Sequence, residues 1–152
     1  MNPAAHKKQK LSHHGRSRAR RLAVQALYQW GMTGQEMSEI DAEFCKVRDL
    51  QGADLEYFRE LLLQVAANIQ ELDGILRPVL DRKLEEVDPV EKAILRIGVY
   101  ELNYRADIPY RVIVNEAIIL AKKFGAEQAH TFINGVLDKV AGSLRPEDKK
   151  SD

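Results

Sequence analysis

Hydrophobic residues recur at helical intervals along most of this chain. The longest such pattern lies in residues 54–77, where the steps between apolar positions alternate between three and four. Asp54 is a suitable N-cap for this segment, and Pro78 stops or kinks it. No run of useful length alternates with the period of two that is typical of strands. The pattern predicts an all-α protein, and the apolar positions of this segment are Leu55, Phe58, Leu62, Val65, Ile69, Leu72 and Leu76.

Further helices are predicted on either side of this segment. Asp88-Pro89 is a strong helix start, and the helix that follows is apolar on nearly every side, which predicts a buried central strut. We expect about seven helices in two small helical subdomains, divided near residues 78–88. The all-helical domain is predicted to comprise residues 16–145. Residues 1–15 are predicted to form a flexible basic extension before it, and residues 146–152 are predicted to form a flexible tail after it. The other helices are expected at 16–31, 38–48, 89–104, 111–124 and 127–142.

Charge is distributed unevenly although 23 Lys+Arg balance 23 Asp+Glu in the 152 residues. The first acid is Glu36, so the head of the chain is strongly basic and the remainder acidic, which indicates a polyanionic partner. A solvated tail and a mitochondrial presequence stay open as alternatives for the head. A single cysteine, Cys45, excludes a disulfide framework and a multi-cysteine zinc site. No apolar run is long enough to span a membrane, so we expect a cytoplasmic protein.

The first predicted helix carries the most specific chemistry. Its polar side has no acid and combines arginine, which binds phosphate and stacks on bases, with glutamine and an aromatic ring. This combination favours single-stranded RNA over duplex DNA, and the alternative is a solvated surface stripe. Catalytic motifs such as a phosphate-binding loop or His-Glu-x-x-His are absent from the sequence, which predicts neither an enzyme nor a metal site. The polar side consists of Arg18, Arg21, Gln25, Tyr28 and Gln29.

Six segments of the chain form a set in fixed order: Arg-Arg-Leu-Ala-Val-Gln-Ala-Leu-Tyr-Gln-Trp (20–30), Tyr57–Leu62, Glu91–Ile97, Asn115–Ile118, Phe124–Glu127 and Phe132–Lys139. They resemble the NusB family of bacterial transcription antitermination factors, in the family's order from about residue 16 to about 145. The resemblance implies a non-enzymatic, cofactor-free helical protein that binds boxA RNA of ribosomal RNA transcripts. It also implies that the chain acts with NusE, a small-subunit ribosomal protein, in an antitermination complex on RNA polymerase.

The resemblance also implies roles for individual residues. Glu91, which by itself reads as a helix-capping acid, matches the acid that faces the partner protein. Phe132 matches a region near the RNA path, although its periodicity places it on a core face. Position 128 can be acidic in the family, and here it is Gln128. The lower negative charge leads to the hypothesis that this chain binds RNA more tightly. Arg21 stands where some members carry an acid. The residues matched to the family's basic first helix are Arg16, Arg18, Arg20 and Tyr28.

Two other hypotheses remain open. The chain could be a NusB-like module that serves as an accessory domain in rRNA processing, as in a group of rRNA cytosine methyltransferases. It could also be a structural interaction module, such as a homodimer that hides its own arginine face. Neither would carry antitermination activity, and RNA-dependent changes in mass by gel filtration would separate the homodimer from an RNA-binding factor.

Overall fold

The computed structural model describes the backbone of residues 3–47 and 52–150 and the side chains of residues 13–46 and 52–148. Within these ranges every regular element is a helix, which confirms the all-α class. Two 3₁₀ turns, Arg77–Val79 and Leu84–Glu86, lie in the connection between the fourth and fifth helices. The α-helices are α1 (Pro3–Thr33), α2 (Met37–Val47), α3 (Leu55–Ala67), α4 (Ile69–Leu76), α5 (Pro89–Tyr104), α6 (Tyr110–Phe124), α7 (Ala129–Leu144) and α8 (Pro146–Lys150).

The chain forms two compact units, and their boundary is not where the sequence suggested. The N-terminal unit is Met1–Ala66 and the C-terminal unit is Ala67–Asp152. The division expected near residues 78–88 was therefore wrong. Asn68 departs from helical geometry (φ −112°, ψ 22°) and separates α3 from α4. The apolar pattern continues in phase across this break, so one long helix was predicted where the structure has two.

Both ends of the chain are more helical than predicted. The first helix begins at Pro3 rather than at residue 16, so the backbone of residues 3–15 is helical, and the flexibility of this extension stays a prediction. Residues 4–14 contain neither proline nor glycine, and Pro3 suits a first helical position. The tail predicted for residues 146–152 contains α8, whose first turn carries Glu147 and Asp148, and its flexibility stays a prediction. Acids in a first turn favour a helix start through the helix dipole.

In the N-terminal unit, α1 packs through small side chains, since Ala19, Ala23 and Ala26 are fully buried. Phe44 of α2 and Phe58 of α3 are also fully buried and stack with ring centroids 6.0 Å apart. Asp54 caps α3 as predicted: its Oδ1 accepts a hydrogen bond of 3.0 Å from the Tyr57 amide. The Asp54 amide in turn donates to the Gly15 carbonyl at 3.0 Å, which ties the start of α3 to α1. The other residues of this core are Ile40, Leu61, Leu62 and Val65.

In the C-terminal unit, α5 is the buried strut that its composition predicted, and it packs against α4, α6 and α7. Asp88 caps it, because its Oδ1 accepts hydrogen bonds from the amides of Val90 (2.9 Å) and Glu91 (3.3 Å). Gly98 permits close packing, since a Cβ there would lie 2.8 Å from a methyl group of Leu137 on α7. The buried residues of α5 are Ala93, Ile94, Leu95, Ile97, Gly98, Val99, Tyr100, Glu101 and Leu102.

The buried guanidinium of Arg145 caps the C-terminal end of α5. It donates to the backbone carbonyls of Glu101 (3.0 Å), Leu102 (3.1 Å) and Arg105 (2.7 Å), and also to that of Ile108. The last carbonyls of a helix lack partners within the helix, so a buried cation there satisfies them and complements the helix dipole. Arg145 therefore joins the end of α7 to the loop that leads into α6.

Candidate RNA- and partner-binding surfaces

The predicted basic side of the first helix is present at the surface of the N-terminal unit. Burial of Ala23, Val24 and Leu27 turns the opposite side of α1 outward. Tyr28 is 40% exposed there, and Arg18 is exposed as well. We call the set Arg18, Arg21, Gln25 and Tyr28 the α1 face, and Arg16 lies outside it, beside Tyr57. The α1 face displays cations and an aromatic ring with no acid on α1.

Arg18 is the most accessible cation of the α1 face whose side chain is described. One of its Nη atoms donates to the Gly52 carbonyl at 3.4 Å, a long contact that leaves most of its five N–H donors facing outward. Gly52 has φ +81°, and a Cβ there would lie 2.0 Å from the same Nη atom. Glycine at position 52 therefore allows the loop to support Arg18, and this requirement was not predicted.

Arg16 and Arg20 lie beside a ring that the sequence did not bring into the site. The Arg16 guanidinium carbon is 4.9 Å from the centroid of Tyr57, and that of Arg20 is 5.5 Å from it. Arg20 is only 2% exposed, so the structure does not support its expected role as a direct phosphate contact. Arg16 is half-buried, and its Nε is buried without a hydrogen-bond partner. Tyr57 thus holds two arginines through its π face.

The two glutamines predicted on the polar side of α1, Gln25 and Gln29, differ in how their amide donors are used. Gln29 Nε2 donates to Gln35 Oε1 (2.8 Å) and to Glu43 Oε2 (3.1 Å), so it fastens α1 to the following segments. Gln25 Nε2 donates to the Arg21 carbonyl one turn earlier at 3.3 Å. Of the two, Gln25 remains on the α1 face, one turn from Tyr28.

The two predicted RNA contacts of the C-terminal unit lie at the start of α7. Gln128 is exposed at the N-cap position, and Phe132 follows one turn later. Phe132 is half-buried, so the periodicity that assigned it to the core was wrong. Its ring has the Arg82 guanidinium over it, with the Cζ atom 4.3 Å from the centroid. The core positions of α7 are instead Ala129, Ile133, Val136, Leu137, Val140 and Ala141.

Glu91, the predicted partner-facing acid, is half-buried in the first turn of α5. Partial burial raises the pKa of its carboxyl group, and the negative charge of Asp88 acts in the same direction, while the Arg82 charge opposes them. The capping hydrogen bonds at this helix start are accepted by Asp88. Glu91 therefore keeps a partly buried carboxylate that a nearby cation would stabilise.

A metal site needs a cluster of ligands, and a reactive cysteine needs a lowered pKa. No group of three or more His, Cys, Asp or Glu side chains within it is placed to hold a metal ion. Burial and the neighbouring Asp41 raise the pKa of Cys45, which makes its thiolate scarce. None of the helices there is long and apolar enough to cross a membrane.

Two residues of these surfaces, Tyr57 and Arg82, were missed by the sequence analysis. Tyr57 precedes the buried Phe58 in a strongly apolar segment. It lies one residue away from the apolar positions of that segment, where an aromatic ring can reach a neighbouring helix. Arg82 lies in the polar connection between α4 and α5, where the sequence has no hydrophobic periodicity from which its position could be predicted. Its contact with Phe132 links positions 50 apart in the chain.

Fold and surface together define an all-helical protein of two units, whose first helix presents a basic, acid-free face suited to a polyanion. The model of the NusB family matches residues 17–142. A protein of Shewanella amazonensis named transcription antitermination protein NusB is 55% identical over 125 residues, which cover 82% of this chain and 93% of that protein. The chain therefore belongs to the NusB family.

Solved structures agree with this assignment. NusB of T. maritima superposes with a TM-score of 0.74 at 29% identity, covering 88% of this chain and 96% of the other. A structure of the antitermination factors NusB and NusE in complex with dsRNA gives a TM-score of 0.73 at 27% identity, covering 84% and 96%. The fold expected from the resemblance is confirmed.

Proposed function

We propose that this chain is a cytoplasmic, non-enzymatic factor that binds boxA RNA of ribosomal RNA transcripts together with NusE. The pair would help to assemble an antitermination complex on RNA polymerase. The observation that carries the proposal is the α1 face, where exposed Arg18 and Tyr28 stand on a helix with no acid. Membership of the NusB family supports the proposal, and so does the likeness to the solved structure of NusB and NusE in complex with dsRNA.

On the α1 face, arginines supply attraction to phosphate and Tyr28 supplies stacking. Arg18 makes the principal phosphate contact because its donors face solvent, and Arg21 adds to it, as does Arg16 from outside the face, both from half-buried positions. Arg20 acts indirectly, since it is packed near Tyr57 and helps to hold that ring beside Arg16. Gln25 lies within reach of a base stacked on Tyr28.

The C-terminal unit contributes an aromatic contact and a partner contact. Phe132 offers part of its ring to RNA, and Gln128 adds an uncharged polar group where a carboxylate would repel phosphate. Glu91 pairs with a cation of NusE, because a half-buried carboxylate gains more from a close cation than a fully solvated one does. This assignment separates a partner contact from the RNA contacts.

The form of the RNA is a distinct part of the proposal. The exposed ring of Tyr28 favours an unpaired base. In the similar solved structure of NusB and NusE, by contrast, the RNA is double-stranded. Single-stranded boxA RNA is therefore expected to bind more tightly than a duplex of the same sequence. A preference for the duplex would reassign Tyr28 from stacking to packing.

The test is fluorescence anisotropy of a short boxA RNA and a scrambled RNA of equal length, with and without NusE. Tighter binding to boxA, strengthened by NusE, is expected. Arg18→Glu combined with Arg21→Glu should weaken binding, while Arg77→Glu, at an exposed ion-paired arginine of the C-terminal unit, serves as the control. Equal, weak, salt-sensitive binding of both RNAs, unaffected by NusE, would refute the proposal and favour a structural module. Gel filtration with and without RNA would then test for a homodimer.

A further inference from the structure

The helical register of the α1 face continues toward the beginning of the chain without a break. α1 runs as one helix from Pro3 to Thr33, whereas the stretch matched to the NusB family begins only at residue 17. On a helix of 3.6 residues per turn, the α1 face and three residues before it fall within one arc of about 80°. Successive members of this arc are always three or four residues apart. The members are Lys7, Lys10, His14, Arg18, Arg21, Gln25 and Tyr28.

Described contacts set this register as far as residue 14. His14 is exposed, as is Arg18 one turn later, so the arc stays at the surface. The start of α3 fixes α1 at the next residue, because the Asp54 amide donates to the Gly15 carbonyl at 3.0 Å. A Cβ at position 15 would lie 3.4 Å from the nitrogen of that amide, so α1 passes close to α3 there. The helical backbone of residues 3–13 continues from this fixed point.

The upstream part of the arc adds positive charge and no negative charge. It contributes Lys7 and Lys10, and no acid precedes Glu36. Lys7 lies about 17 Å before Arg18 along the helix, a length that matches about five nucleotides at the spacing of a stacked strand. Lysine attracts phosphate as a point charge, and phosphate contacts carry no sequence information. This charge pattern suits the backbone of nucleotides that flank a recognised segment.

We infer that the upstream part of α1 is a second RNA site, which binds the sugar–phosphate backbone next to the segment held by the α1 face. The inference rests on the function proposed above. Lys7 and Lys10 supply the phosphate contacts, and His14 lies between them and Arg18 in the same arc. The site lengthens the RNA that the chain can hold and reads no base.

General attraction between a basic segment and RNA would be a simpler role. Lys8 distinguishes the two, because it has the same charge as Lys7 and a different register. It is in phase with the buried Ala26, about five helical turns later, and it falls outside the arc. If only charge matters, each of the upstream lysines should contribute equally to RNA binding. If the register matters, Lys7 and Lys10 contribute and Lys8 does not.

The experiment measures by anisotropy how much flanking nucleotides strengthen the binding of boxA RNA to the full-length chain. The RNAs are boxA alone and boxA extended by about five unstructured nucleotides on its 5′ or its 3′ side, and the ratio of affinities is the flank gain. The variants are Lys7→Gln combined with Lys10→Gln, the matched control Lys8→Gln, and two alanines inserted between Leu11 and Ser12. The insertion keeps every charge and turns the preceding residues by about 200°, which moves both contact lysines out of the arc.

The inference predicts a flank gain on one side of boxA. Loss of two phosphate contacts in the double variant should lower that gain about 25-fold at roughly 0.1 M salt and should flatten the salt slope by about 1.4. The insertion should lose most of the gain as well. Lys8→Gln should keep it, and binding of boxA alone should stay the same in all three variants.

Failure of the inference can be told from failure of the proposed function. If the unmodified chain prefers boxA to scrambled RNA but gains nothing from flanking nucleotides, only the inference is overturned. If the chain has no such preference, the proposed function fails, and a flank gain that depends on Lys7 and Lys10 still supports the second site. An equal loss per lysine in Lys8→Gln, or a full gain in the insertion, overturns the inference because charge alone then explains the gain. Should the insertion lower the melting temperature, the comparison between the lysine variants decides.

Discussion

Arg18 and Arg20 stand two residues apart on α1, yet the structure gives them opposite surroundings. Arg18 is exposed with one long contact to Gly52, whereas Arg20 is 2% exposed and lies near the ring of Tyr57. If RNA meets the α1 face, Arg18→Gln should reduce the salt dependence of RNA binding, and Arg20→Gln should not. Arg20→Gln should instead reduce stability.

The expected sizes follow from these surroundings. Each phosphate contact adds about 0.7 to the slope of log affinity against log salt for single-stranded RNA. Loss of the Arg18 contact should therefore lower affinity about fivefold at roughly 0.1 M salt and should flatten the slope by about 0.7. Loss of the Arg20 guanidinium removes a buried cation–π contact and leaves a polar group poorly matched to its site, which costs about 2 kcal/mol of unfolding free energy.

The assay is anisotropy with boxA RNA at several salt concentrations, together with urea unfolding of each variant. Measurements are made at a temperature where both variants remain fully folded, so that lost stability does not imitate lost affinity. The reasoning is refuted if Arg20→Gln flattens the salt slope as much as Arg18→Gln does. It is equally refuted if Arg18→Gln destabilises the fold more than Arg20→Gln.

Three further predictions concern the C-terminal unit. NusE binding should weaken as the pH falls from neutrality, because the contact needs the ionised carboxylate of Glu91. The weakening should begin at a higher pH than for an ordinary glutamate, since partial burial and Asp88 raise the pKa of Glu91. Calorimetry at several pH values should find that Glu91→Gln binds NusE weakly and lacks this pH dependence. Gln128→Asp should weaken RNA binding severalfold at low salt by repelling phosphate, and equal affinities in anisotropy would contradict the role of Gln128. Arg145→Met should cost about 3 to 5 kcal/mol of unfolding free energy, since four carbonyls lose a buried cationic donor; a loss below about 1 kcal/mol in urea unfolding would contradict the structure's account of that end of α5.

The fold was predicted best where its signals are local. The Asp54 and Asp88 caps occupy the expected positions because a capping side chain bonds to amides only two or three residues away. The break at Asn68 was missed because the apolar pattern remains in phase on both sides of it. What divides the chain there is packing, since Leu72 and Leu76 of α4 are buried in the C-terminal unit. Period alone does not contain that information.

The burial of Arg20 was more accessible to sequence reasoning than it first appears. Positions 16, 20, 23 and 27 fall on one side of an α-helix, and Ala23 and Leu27 are core residues. The period itself therefore places Arg16 and Arg20 at the edge of the apolar stripe, and it does not place them on the polar side with Arg18. The family resemblance grouped all of these arginines together because it matched sequence positions rather than helix faces.

Phe132 and Arg82 show where such reasoning ends. The period of α7 puts Phe132 near its core stripe, and only a neighbour outside that helix decides whether the ring is covered by apolar side chains or by a cation. That neighbour is Arg82, which comes from a connection without helical period and is 50 residues distant in sequence. The charge of Arg82 also lowers the pKa of Glu91, against the larger opposing effects of burial and Asp88. Residues such as Arg82 carry no pattern of their own, so they are best sought among the irregular connections that pack against helix starts.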